Sequence, residues 1–161
     1  MSEDLEQPKK DGVMTFCSRF DGAKRGSCLS ESWPLYRQEL LNSPDELVKF
    51  CSRSESPEQD RCYISLFYVL TAQFNFDLDK IKGYCPGLPE ARSGQCFANA
   101  ASRLIETDYR NIDKSVNLCS YAGSEVSKNV CFTELLQYST YNFHAGSKEA
   151  LKLCNSLPPP W

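Results

Sequence analysis

The stretch Cys51–Cys85 reads CSRSESPEQDRCYISLFYVLTAQFNFDLDKIKGYC, and its three cysteines set the frame for the whole chain. Cys51 and Cys62 lie 11 residues apart, and Cys62 and Cys85 lie 23 apart. Outward from this stretch the two spacings return. The nine cysteines are Cys17, Cys28, Cys51, Cys62, Cys85, Cys96, Cys119, Cys131 and Cys154, with separations of 11, 23, 11, 23, 11, 23, 12 and 23. The period is 34, with one residue inserted in the fourth unit. Units begin at Cys17, Cys51, Cys85 and Cys119, and a partial fifth begins at Cys154. Other positions keep the same register. Leu29, Tyr63, Phe97 and Phe132 follow the second cysteine of each unit, and Phe16, Phe50, Tyr84, Leu118 and Leu153 precede each unit. Self-similarity at a fixed period of this size marks stacked units, each burying its apolar face against its neighbours.

Each unit reads as two helices. In the second unit Ser56 offers an N-cap, Pro57 suits the first helical position and Gln59 suits the third. A long helix follows to about Phe74, with Cys62, Leu66, Val69 and Leu70 at helical spacing. Its apolar residues fall on nearly all sides, which predicts burial on both flanks. Asn75-Phe76-Asp77 makes a turn, and a shorter helix runs from about Asp77 to Tyr84 or Cys85. Asp77 and Asp79 favour that start electrostatically. The third unit has starts near Pro89-Glu90 and Asn111-Ile112-Asp113, and the fourth near Ser124-Glu125 and Gly146-Ser147. Val13–Phe16 reads as the tail of a preceding, missing or shortened helix. The fold predicted is all-α, a short α-solenoid of about four 34-residue helical hairpins stapled by disulfides. It divides into a flexible segment over residues 1–12, a repeat array over 13–155 and a proline-rich tail over 156–161.

Two regular cysteine pairings are open. Short pairing joins Cys17–Cys28, Cys51–Cys62, Cys85–Cys96 and Cys119–Cys131 and leaves Cys154 free or intermolecular. Long pairing joins Cys28–Cys51, Cys62–Cys85, Cys96–Cys119 and Cys131–Cys154 and leaves Cys17 free. Geometry favours the short one. Cys51 and Cys62 flank the link between helices symmetrically, so two antiparallel helices bring them level, as a Cα separation of about 4.4–6.8 Å requires. In the long pairing the two cysteines stand unequally far from the turn, an offset of roughly 7 Å along the axis. Each short staple closes a loop of about 12 residues and contributes about 3 kcal/mol in the loop-entropy account.

The period, the paired cysteines and the two-helix pattern give a layout that resembles the cysteine-rich, disulfide-bridged αα-repeat proteins related to Sel1-like and tetratricopeptide repeats. The pattern is visible in Arg61-Cys62-Tyr63 followed by Asp79-Lys80-Ile81-Lys82-Gly83-Tyr84-Cys85. The resemblance covers about residues 13–154. The Sel1-like turn usually carries Gly-x-Gly, whereas the turns here are Asn42-Ser43-Pro44, Asn75-Phe76-Asp77, Thr107-Asp108-Tyr109 and Asn142-Phe143-His144. The resemblance implies an extracytoplasmic or intermembrane-space scaffold that binds other proteins.

The residues themselves point away from catalysis. Neither a nucleophile elbow nor a phosphate loop nor a metalloprotease motif occurs. The single histidine, His144, lies in a polar turn, and Glu106 and Glu134 lie on long helices where a solvated face or an ion pair suffices. There is no Cys-x-x-Cys, so neither a bound metal nor another cofactor is expected. The mild net charge of -3, with both signs mixed, gives no basic face for nucleic acid. No apolar run is long enough to span a bilayer. Tyr68 and Tyr141 fall off the apolar stripes and are the candidate partner-binding residues. The function expected is a non-enzymatic interaction scaffold for a protein partner, with a thiol–disulfide redox or assembly-factor role as the alternative. Cysteine usage points to a periplasmic or secreted protein, or else to the mitochondrial intermembrane space. Alkylation of the denatured, non-reduced protein should add one label, on Cys154, with four linked peptide pairs in the mass map. Nine labels would remove both the staples and the argument for an oxidising compartment.

Overall fold

The computed structural model describes residues 12–161. The segment 1–11, within the stretch expected to be flexible, lies outside the described residues. All regular elements among the described residues are helical. They divide into two compact units, one ending at Leu66 and the other running Phe67–Trp161, with the boundary inside a helix. Among the described residues no helix is long and apolar enough to cross a membrane.

The first unit contains α1 (Val13–Cys17), α2 (Gly22–Glu31), α3 (Arg37–Asn42), α4 (Pro44–Cys51) and the start of α5 (Glu58–Gln73). Here the two-helix expectation meets an exception. The long helix of this unit is split into α2 and α3 by a 3-10 turn, Trp33–Tyr36. Pro34 has no N–H to donate to the preceding turn. Ser32 turns its hydroxyl back to donate to Leu29 O at 2.6 Å, closing the end of α2. Ser43 in extended conformation and Pro44 at the first helical position then start α4. Val13, Cys17 and Leu29 form a buried cluster with Phe16, Cys28, Leu35 and Tyr36 packed against it. Tyr36 and Phe50 meet edge-on, with centroids 5.4 Å apart.

Helix α5 buries Cys62, Tyr63, Leu66, Phe67, Leu70 and Thr71, pairs of neighbours recurring each turn. It is not buried on both flanks as its composition predicts. Ile64 is 54% and Tyr68 50% exposed. The stripe decides which residues go inside, and apolar residues off it remain at the surface, which is ordinary for folded chains.

The second unit continues with α6 (Leu78–Tyr84), α7 (Glu90–Thr107), α8 (Ile112–Ser120), α9 (Glu125–Asn142) and α10 (Lys148–Ser156). Serine and aspartate start three of these helices. Asp77 accepts from Asp79 N and Lys80 N, Ser124 Oγ from Ser127 N, and Ser147 Oγ from Ala150 N. At the other end of α7, Asn111 Nδ2 donates to Leu104 O at 3.1 Å, beside the Asp108 N–H that bonds the same carbonyl. Both α8 and α9 pack on α7, and α10 packs on α8.

The α7–α9 contact is close because α7 presents small residues. Ser93, Gly94, Ala98, Ala100 and Ala101 are all buried. A Cβ on Gly94 would stand 2.6 Å from Ser127 O and 2.7 Å from Val130 Cβ. Ser127 Oγ also donates to Glu90 O at 2.7 Å across the same seam. Ser115 Oγ of α8 donates to Ala101 O at 2.8 Å. The seams are therefore held by backbone proximity and buried hydroxyls, with apolar packing from Phe97, Phe132 and Leu135. The proline-rich tail does not hang free. Trp161 packs on Phe132, ring centroids 5.6 Å apart.

Two glycine substitutions should separate these effects. Gly94→Ala drives a methyl into the backbone of α9 and should destabilise by about 1–3 kcal/mol. Gly83→Ala, on an exposed helical position with nothing near its Cβ, should stabilise by about 0.4–1 kcal/mol. Urea midpoints of the disulfide-intact variants would measure both, and equal shifts in one direction would show that the seam is not this tight.

Candidate functional site

Each staple joins the end of one helix to the second turn of the next. Bridges link Cys17–Cys28, Cys51–Cys62, Cys85–Cys96 and Cys119–Cys131, with Cα–Cα distances of 5.7, 5.7, 5.6 and 5.5 Å. The inserted residue of the fourth unit is absorbed without opening the geometry, since its separation of 12 still gives 5.5 Å. Seven of these eight cysteines are buried, and Cys28 is half-buried. Cys154 is a free thiol and exposed.

Tyr68 and Tyr141 lie in different surroundings. The Arg103 guanidinium stacks over the Tyr68 ring, 3.5 Å from its centroid, and Arg103 Nη1 donates to Tyr68 O at 3.2 Å. Arg103 also faces Phe76 at 5.5 Å and pairs through Nε with Glu106 Oε2 at 3.5 Å. Glu106 in turn acts electrostatically on Tyr138 of α9, which meets Phe143 edge-on at 6.1 Å. Burial pushes the Tyr138 phenol upward, and the Glu106 charge adds to that. Tyr68, Arg103, Glu106 and Tyr138 thus form one patch across α5, α7 and α9. Tyr141 lies one turn beyond Tyr138 on α9 and is 88% exposed. Among the described residues no hydrogen bond, ion pair or ring contact ties it to the patch, and the two tyrosines lie in separate surroundings.

Arg103 was not singled out from the sequence, although a signal existed. It lies 35 residues after Tyr68, about one period on. In a repeat, residues one period apart become neighbours. His144 is exposed in its turn. Among the described residues no group of three or more His, Cys, Asp or Glu side chains could hold a metal ion.

Glu134, on α9, is partly withdrawn from water. Burial pushes its carboxyl above the usual glutamate range, and a hydrogen bond with Gln95 partly opposes this. Gln95 is itself held by Arg92 Nη1 at 3.0 Å. The arrangement holds one proton longer than a surface glutamate would; no second carboxylate is paired with it among these contacts.

No family model, no curated protein and no solved structure matches this chain. The functional reading therefore stands on the residues.

The Glu134 environment has a definite sign. The folded state binds the proton to higher pH than the unfolded state, so stability falls as pH rises from the ordinary glutamate value through the raised one. Glu134→Gln should therefore raise the denaturation midpoint at neutral pH and change it little in acid. An unchanged difference between the two pH values would show that the carboxyl is not desolvated.

Proposed function

We propose that the protein is a non-enzymatic interaction module that presents a rigid helical surface to a protein partner. What carries this reading is the iteration itself. One staple, recurring four times at nearly the same geometry, stiffens a helical frame. Repeat architectures of this kind use extended surfaces for binding. The relation to Sel1-like and tetratricopeptide-like repeats and the solenoid stacking belong to the same proposal, supported by the 34-residue period.

The surface of choice is the patch at Tyr68 and Arg103 with Tyr141 beyond it. Aromatic residues and arginine dominate binding energy at protein interfaces because they bury large area with little loss of freedom. Tyr68 is half exposed yet held by Arg103, so its orientation is set before a partner arrives. Burial of most bridge cysteines weighs against a thiol-exchange role, since exchange needs a thiolate to reach the sulfur. The staples also favour an oxidising setting, periplasmic or exterior, with the intermembrane space as the other candidate.

The test is photo-crosslinking from positions 68 and 141 in cells of the source organism, followed by identification of the adduct. A single saturable protein adduct is expected. Tyr68→Ala and Tyr141→Ala should each weaken its capture by about tenfold or more, the effect of an interface anchor. Adducts scattered over many proteins, or a partner indifferent to both substitutions, would remove the reading.

A further inference from the structure

The patch at Tyr68 and Arg103 carries a sign. Arg103 is its cation, and that side chain is only 15% exposed. The guanidinium lies 3.5 Å from the Tyr68 ring centroid and 5.5 Å from that of Phe76. Rings over the faces of a guanidinium leave its in-plane N–H groups free to donate.

Those donors are only partly used. Nη1 donates to Tyr68 O at 3.2 Å. Nε stands 3.5 Å from Glu106 Oε2, longer than the roughly 2.7–2.9 Å of a strong charge-assisted bond. Nη2 donates to no group among the described residues, and it is not sealed from solvent as Arg53 Nη1 is. One edge of the fork is therefore open to a ligand.

The turn after α5 keeps this arrangement in place. Asn75 and Phe76 both have positive φ, 53° and 57°. Outside glycine that costs roughly 1–2 kcal/mol per residue, and a bulky side chain is uncommon there. The turn is closed by Phe76 N donating to Thr71 O at 3.2 Å and Asp77 N to Phe74 O at 3.0 Å. The second strained residue is the one whose ring meets Arg103. Phe76 is thus set beside the guanidinium before any partner arrives.

The surrounding charges narrow the ligand. Asp77, next in the chain, is engaged at the start of α6, where it accepts from Asp79 N and Lys80 N. Glu106 is 56% exposed and loosely paired, so it can swing into water at little cost. A mostly covered cation with a loose counter-ion gains most from another carboxylate in its own plane. A phosphate dianion would set two charges against Glu106, and a cationic ligand would meet Arg103 itself. A monoanion with apolar neighbours fits, because half-exposed Tyr68 offers apolar area beside the fork.

Taking this surface as an interaction face, as proposed above, we infer that it docks an acidic segment of the protein partner. One aspartate or glutamate carboxylate of that segment accepts from Arg103 Nη2, and apolar neighbours rest on Tyr68. Glu106 gives way to the incoming carboxylate, while Nη1 keeps Tyr68 O.

Random linear peptides selected on the intact, disulfide-bonded chain test this. Enriched peptides should share one acidic residue at a fixed place beside apolar ones. In fluorescence anisotropy, replacing that carboxylate by its amide should weaken binding about tenfold or more. Arg103→Lys keeps the charge and loses the fork, so it should weaken the acidic peptide by about the same factor and barely change the amide one. Glu106→Gln, at an exposed position where folding is not at risk, should tighten the acidic peptide and leave the amide peptide unchanged. A merely structural arginine would weaken both peptides alike or neither. Enrichment of peptides with no fixed acid, or an acidic peptide indifferent to both substitutions or weakened by Glu106→Gln, would overturn the acidic assignment and leave the interaction surface standing. No enrichment at all would overturn the assignment as well, and the adducts formed from position 68 would then decide separately whether the surface binds a protein.

Discussion

The structure depends on one covalent constraint: a short helix is tied at its end to the second turn of the helix that follows. With Cα atoms about 5.5–5.7 Å apart at each tie, the two helices cannot slide or splay there. Short helices such as α6 and α8 are marginal on their own, because helix nucleation is unfavourable and few bonds follow it. The staple removes part of that difficulty by restricting the unfolded chain. Packing then completes what the staple starts. Cys51, Cys85 and Cys119 are buried beside Phe50, Tyr84 and Leu118, so each tie also anchors an apolar residue.

The seams between long helices use a second device. Small residues on α7 let α9 approach until backbone and hydroxyl meet, and serine hydroxyls donate to carbonyls across the gap. Bulkier packing would hold the helices apart and leave those hydroxyls to other partners. The aromatic residues displaced from the seams occupy the outside, where Tyr68 and Tyr141 remain accessible.

Much of this was legible in the residues. Starts at Glu90, Glu125 and Lys148 follow from Pro89, Ser124 and Ser147, and the Asp77 start is visible in Asp77-Leu78-Asp79. Caps are local, so a single sequence can carry them. The first unit was read less well, because Trp33-Pro34 interrupts a helix that the period alone would continue. The exposure of Ile64 was missed because composition does not say which neighbours exist to cover a face, whereas Tyr68 already stood off the apolar stripe. Arg103 over Tyr68 needed the tertiary structure, although their spacing of about one period was a usable hint. The unpartnered state of Arg53 Nη1 and Ser54 Oγ was invisible: these residues look like a polar link, and only burial shows that these atoms lack partners.

The staples also limit how far the molecule can be drawn out under load. Residues between the two ends of a bridge are removed from the extensible contour. For an 11-residue separation closed to 5.7 Å, the hidden length is about 30 Å per bridge. A pulled chain would release the segments Cys28–Cys51, Cys62–Cys85 and Cys96–Cys119 while the short loops stayed shut. The protein behaves mechanically as a tether with fixed stops, able to yield between them and unable to lengthen fully until a reductant arrives.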